Sequence, residues 1–102
     1  MTEKIDVNEL RLTDDDILVD MRDNSLFSFG TIPGAVNIPV DEIDKLYSLP
    51  KNKRIVLFCQ KGEISSDIAE LLDDNGFRTA ELAGGYREYL KHSMMQAKNK
   101  NE

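Results

Sequence analysis

A single cysteine, Cys59, ends an apolar run and opens the segment Cys59-Gln60-Lys61-Gly62-Glu63-Ile64-Ser65-Ser66. A thiol on the last residue of a strand, followed by a tight loop that starts a helix, has a physical consequence. Free backbone N–H groups of the loop and of the first helical turn can converge on the sulfur, and with the helix dipole they favour an anion there. The thiol pKa then falls and the thiolate fraction at neutral pH rises. The same donors can hold negative charge that develops on a leaving group. Gly62 lets the backbone turn sharply with no Cβ in the way. Lys61 places a cation beside the thiol. Ser65 and Ser66 bring hydroxyls to the first helical turn, where they satisfy free N–H groups, and Ser65 is within reach of the sulfur. Spacing alone leaves a second reading open. Cysteine is among the most commonly buried residue types, and one that ends a core strand also serves as an inert apolar residue.

The elements that must position this loop can be read from periodicity and punctuation. Arg54 to Cys59 is an apolar run rich in β-branched residues, the pattern of a central parallel strand covered on both faces. Ile64 to Asp74 has Ile64, Ile68, Leu71 and Leu72 at helical spacing, with Asn75-Gly76 as its stop. Upstream, Asp16 to Asp20 reads as a buried strand, Asn24 to Phe29 as a short helix closed by Gly30, and Ala35 to Ile38 as a brief strand. Asp41 caps a predicted helix through Tyr47, with Ile43, Leu46 and Tyr47 on one face and Pro50 beyond it. Phe77 to Leu82 is a further strand, and Gly84-Gly85 leads into a last helix with Tyr86, Tyr89 and Leu90 on one face. From Gln96 onward the chain lacks apolar anchors, so residues 1–95 are expected to form one domain and 96–102 a frayed tail. Strand–helix alternation of this kind gives an α/β layered fold with a mainly parallel sheet, in which ligands bind outside the carboxyl ends of the strands. Cys59 sits at such an end.

Composition narrows the function classes. A net charge of -6 makes the chain a poor partner for nucleic-acid phosphates, so no nucleic acid is expected. Its apolar runs are too short to span a bilayer, and the start at Met1 shows no signal-peptide pattern, so no membrane is expected and the cytoplasm is the default compartment. One cysteine excludes intramolecular disulfides and makes a thiolate-rich metal site implausible. The one histidine, His92, lies late in the last helix, and nothing in the spacing brings it to Cys59.

Four segments in register resemble the rhodanese family. Leu18-Val19-Asp20-Met21-Arg22 is similar to that family's Leu-Val-Asp-Val-Arg strand end. Phe29 through Pro39 resembles its Gly-His-Ile-Pro-Gly-Ala-Ile-Asn-Ile-Pro stretch. Cys59 through Ser65 resembles the active-site loop Cys-x-x-Gly-x-Arg-Ser. Leu82-Ala83-Gly84-Gly85, with Tyr86 and Tyr89, is similar to the Leu-x-Gly-Gly and aromatic ending. The resemblance implies a three-layer rhodanese-like fold with helices on both faces of the sheet. It also implies a sulfurtransferase in which Cys59 is the nucleophile and Gln60, Lys61, Gly62, Glu63, Ile64 and Ser65 bind the substrate. Sulfur would pass from thiosulfate or a persulfide donor, through a Cys59 persulfide, to a thiophilic acceptor. Neither cofactor nor metal is implied. The partners are a small-molecule sulfur donor and, as a further class, a sulfur-donor or acceptor protein.

Three positions differ from the family pattern. Thr31 replaces a His, Ile64 replaces the loop Arg, and Glu63 adds a negative charge. Cys-Gln-Lys-Gly is nevertheless similar to the Cys-Arg-Lys-Gly of thiosulfate-using members. A competing reading is a catalytically silent rhodanese-like module that binds or regulates a partner. A cysteine phosphatase or arsenate reductase would need an Arg six residues after the Cys. That position is Ser65, so a tetrahedral oxyanion has no guanidinium to hold it.

Overall fold

The computed structural model describes residues 2–100, with side chains through Lys98. Strand β4 (Arg54–Phe58) is the middle of a five-stranded sheet, because its continuous apolar run satisfies both faces. Period-two alternation divides that run. Ile55 and Leu57 point into one core with Val19, Leu46, Ala69, Leu72 and Phe77. Val56 and Phe58 point into the other with Leu18, Ile32, Ala80, Leu82 and Tyr86. Strand β2 (Asp16–Asp20) pairs with β4 on one side, and β5 (Arg78–Leu82) on the other. The edges are β3 (Val36–Asn37) beyond β2 and β1 (Glu3–Ile5) beyond β5. All four pairings are parallel.

Helix α2 (Glu63–Asp74) and a 3-10 segment, Val40–Ser48, cover the first core. Helix α3 (Gly85–Lys100), the loop carrying Ile32 and a 3-10 turn at Val7–Glu9 cover the second. The result is the expected three layers. Helix α1 (Asn24–Phe29) is peripheral and buries no residue, and Phe29 is 94% exposed. At the far end of the sheet from Cys59, Arg54 ties three strands together. Its Nε donates to Asp16 at 2.8 Å and its Nη1 to Glu3 at 2.9 Å.

Several local expectations change. The segment predicted as a helix capped by Asp41 is a 3-10 helix that begins after Pro39, kinked at Glu42. Its ends are closed by three-residue hydrogen bonds, Glu42 N to Pro39 O and Leu49 N to Leu46 O. Pro50 forces Leu49 into extended backbone, which stops the segment. The buried stripe of α2 is Ser65, Ala69 and Leu72, with Ile68 beside it, while Ile64 and Leu71 are exposed. Small residues let the start of this helix approach the sheet, and that rotation brings Ser65 under the thiol. Tyr47 and Leu90 are partly exposed rather than buried. Strand β1 has only three residues of mixed polarity and gives no sequence signal. Helix α3 runs to Lys100 with Gln96, Ala97 and Lys98 exposed, and residues 101–102 of the tail expected to fray lie outside those described. No helix among the described residues is long and apolar enough to cross a membrane.

Candidate active site

Cys59 follows the last residue of β4, and the chain turns from it into α2 within three residues. Gly62 makes the turn possible. Its φ of +93° is left-handed, and a Cβ there would lie 3.2 Å from the backbone nitrogen of Gly84. The turn aims donors at the sulfur. Gly62 N lies 3.2 Å from Sγ and Ser65 N lies 3.5 Å from it. The thiol also hydrogen-bonds the buried Ser65 hydroxyl at 3.4 Å. A thiol donates in that contact, whereas a thiolate accepts from the hydroxyl. Burial alone pushes the Cys59 pKa up. The Ser65 hydroxyl and the N–H groups of Ser65, Gly62 and Ile64 outweigh it, and the net pKa lies below the ordinary thiol value.

The sulfur borders a pocket of about 130 Å³ lined by Cys59, Gln60, Lys61, Glu63 and Ile64. The predicted loop residues therefore divide by position. Gly62 and Ser65 act on the sulfur from behind, and the other four surround the space in front of it. Ile64, in place of a cation, gives that space an apolar, half-exposed wall. Among the described residues, His92 makes no hydrogen bond to Cys59.

A second cluster holds the opposite flank of the loop. Asp20, fully buried at the end of β2, accepts from the Arg22 backbone N–H at 2.9 Å and from its Nη2 at 2.8 Å. Thr31 Oγ1 donates to the same carboxylate at 2.8 Å. The Arg22 guanidinium also donates to Gly30 O at 2.6 Å and lies 3.9 Å over the Tyr86 ring. Its Nη1 is 3.5 Å from Gln60 Oε1, which links this cluster to a side chain of the Cys59 loop. Asn37 Nδ2 donates to the carbonyls of Asp20 and Arg22. Asp20 and Arg22 thus form the loop-stitching ion pair that their strand-end position suggests, and Thr31 fills the donor role beside it.

Gly84 and Gly85, which lead into the last helix, also shape the site. At Gly85 a Cβ would run into the Cys59 carbonyl oxygen, and the backbone there has φ +64°. This close approach lets the first turn of α3 bond the loop. Tyr86 N donates to Cys59 O at 2.8 Å, and Arg87 N donates to Gln60 O at 3.0 Å. Two adjacent glycines directly before a helix were the available signal.

The rhodanese-like domain model matches residues 5–92, nearly the whole chain. The chain belongs to the rhodanese-like domain family. Among its relatives is the human thiosulfate:glutathione sulfurtransferase, 37% identical over 90 residues, with 72% of this chain and 78% of that protein covered. A sulfurtransferase of Allochromatium vinosum is 31% identical over 84 residues, covering 80% and 78%. A rhodanese-related protein from Thermoplasma volcanium superimposes with a TM-score of 0.81 over 88% of this chain and 92% of its own. At 24% identity, that likeness establishes the rhodanese fold.

Proposed function

We propose that this rhodanese-like domain is a sulfurtransferase that carries sulfane sulfur on Cys59. The observation behind the proposal is the set of Ser65, Gly62 and Ile64 donors gathered on a sulfur that borders a small open pocket. Relatives of similar length that are named sulfurtransferases support the same reading. In the first half-reaction the Cys59 thiolate attacks the outer sulfur of thiosulfate. The S–S bond of the donor breaks, sulfite leaves with the electron pair, and Cys59 becomes a persulfide. A persulfide donor reacts in the same way and leaves as its thiolate. In the second half-reaction a thiophilic acceptor takes the outer sulfur and Cys59 returns as thiolate.

Gln60, Lys61, Glu63 and Ile64 form the donor space, while Gly62 and Ser65 hold the charge on sulfur. Lys61 attracts an anionic donor. Glu63 opposes it by about 1 kcal/mol at a partly exposed site, which tilts the site from thiosulfate towards a less charged persulfide. The proposed compartment is the reducing cytoplasm, where a lone thiolate stays available. Steady-state formation of thiocyanate from cyanide tests the proposal. Parallel double-reciprocal lines for donor and acceptor, and no turnover by Cys59→Ser, are expected. Turnover that survives Cys59→Ser would remove the proposal.

A further inference from the structure

We propose that strand β1 is a releasable strap: it opens as a unit, hydrates the buried carboxylate of Glu81, and loosens the Cys59 loop through the turn at Ala83–Gly85. The strap acts on the thiol whichever sulfur donor the site takes. Glu81, on β5, is 3% exposed, and its Oε2 has no hydrogen-bond partner among the described residues. It shares a face of β5 with Thr79, which donates to Ala69 O of α2 at 3.2 Å. Lys4 stands opposite Glu81 in the register of β1 and supplies its counter-charge. The Lys4 Nζ is 3.6 Å from Oε1, and its side chain is 71% exposed. A contact of that length is a loose ion pair rather than a hydrogen bond. A carboxylate buried in this way has lost its hydration and gained little in return. Water restores that hydration when β1 lifts away.

The rest of the strap's hold is slight. Its three residues lie at the edge of the sheet, and only Ile5 among them is buried. Arg54 reaches the exposed Glu3 at 2.9 Å, and the Thr2 and Thr79 hydroxyls meet at 2.7 Å. The pairing of Glu3 with Ala80 closes a loop of most of the chain, which costs entropy. Elements with few buried contacts open at free energies below that of global unfolding.

The last residue of the strap reaches the reactive loop. Ile5 O accepts from Ala83 N at 2.8 Å. Two residues on, Gly85 lies so close to Cys59 O that no Cβ fits, and Tyr86 N donates to that oxygen at 2.8 Å. The Gly84 nitrogen lies against Gly62, whose own N–H points at the sulfur. When Ile5 releases Ala83, the turn loses its outer anchor, and the Gly62 and Ser65 donors lose their fixed aim. The open state therefore favours the thiolate less than the closed state does. Linkage makes the coupling reciprocal, so a thiolate on Cys59 also holds the strap closed.

Native-state hydrogen exchange, read residue by residue, tests the strap. In wild type the Ala83 N–H should exchange faster than the Val56 N–H of the central strand. Glu81→Met removes the unpaired charge and should slow Ala83 exchange about tenfold, whereas Lys4→Met removes the counter-charge and should speed it about tenfold, the scale of one buried polar group gaining or losing compensation. A role in packing alone would move both variants the same way. In Lys4→Met the Tyr86 N–H should quicken with that of Ala83. Cys59 is read in Ile5→Ala/Lys4→Met, which frees the strap further, by the pH profile of alkylation. Its midpoint should move up towards the ordinary thiol value of about 8.5, with Val56 still protected. Ala83 exchange as slow as that of Val56 in wild type, or unaltered by Glu81→Met, would overturn the strap. A freed Ala83 with an unmoved alkylation midpoint, or with Tyr86 exchange unchanged, would overturn its coupling to Cys59.

Discussion

Two clusters flank the Cys59 loop, and they act on it differently. On one flank, the first turn of α2 presents Gly62, Ile64 and Ser65 donors to the sulfur itself. On the other, Asp20, Arg22, Thr31 and Asn37 bond one another and the neighbouring backbone, with Arg22 also reaching the Gln60 side chain at 3.5 Å, and none of them hydrogen-bonds the sulfur. The first cluster is made of neutral dipoles that outweigh the burial of the thiol, and its effect is on one titration. The second is a buried ion pair whose partners are fully used, and its effect is on the fold. Chemistry and stability are therefore separable in this small domain, although both clusters lie within a few residues of strand ends on one side of the sheet.

The separation can be broken first at Asp20. Asp20→Ala leaves the buried Arg22 guanidinium without its carboxylate, a change that costs about 3–5 kcal/mol in comparable sites. Chemical denaturation should show a loss of that size. The fraction that remains folded should keep a reactive Cys59. Loss of stability with a simultaneous rise of the thiol pKa in the folded fraction would merge the two clusters into one.

Ser65→Ala probes the opposite flank. It removes the hydroxyl donor, so the pKa of Cys59 should rise towards the ordinary thiol value and alkylation at neutral pH should slow. The sign for stability follows from the same shift. A thiol whose folded pKa is lowered adds nothing where both states are protonated. It adds stability as pH climbs from the folded pKa to the unfolded value of about 8.5. The stability of wild type relative to Cys59→Ala should therefore be flat at low pH and grow through that window, and Ser65→Ala should narrow the window. Denaturant melts across pH measure this directly, and a gap that shrinks with rising pH would contradict it.

The smallest effect concerns Glu63. Glu63→Gln removes a negative charge in front of the sulfur, and kcat/KM for thiosulfate should rise about fivefold, the equivalent of about 1 kcal/mol. The rate with a neutral polysulfide donor should change less. An equal change for both donors would place Glu63 outside the donor space.

The reactive flank was largely legible in the sequence because its parts are local. An apolar strand, a cysteine at its end, a glycine three residues later and a helical period after that lie within one short stretch, and β4 and α2 follow it closely. Burial within α2 was less legible. Hydrophobicity favoured Ile64 and Leu71, but the close approach at the helix start selects Ser65 and Ala69 for the inner face. The stabilising flank was legible only in part. Asp20 and Arg22 are two residues apart and suggest a pair, whereas Thr31, Gly30 and Asn37 reach them through tertiary contacts that no period encodes. Gly85 belongs with these, since the Cys59 carbonyl that excludes its side chain is remote in sequence. The short β1 escaped because its pairing with β5 spans most of the chain.

The proposed function rests on Cys59 carrying transferable sulfur. The most direct measurement is the intact mass of the protein after brief exposure to thiosulfate and, in parallel, to a polysulfide, beside Cys59→Ser. Wild type should gain one sulfur atom with at least one donor and lose it to cyanide or a thiol, and the variant should show no gain. No gain from either donor, or an equal gain in Cys59→Ser, would contradict it.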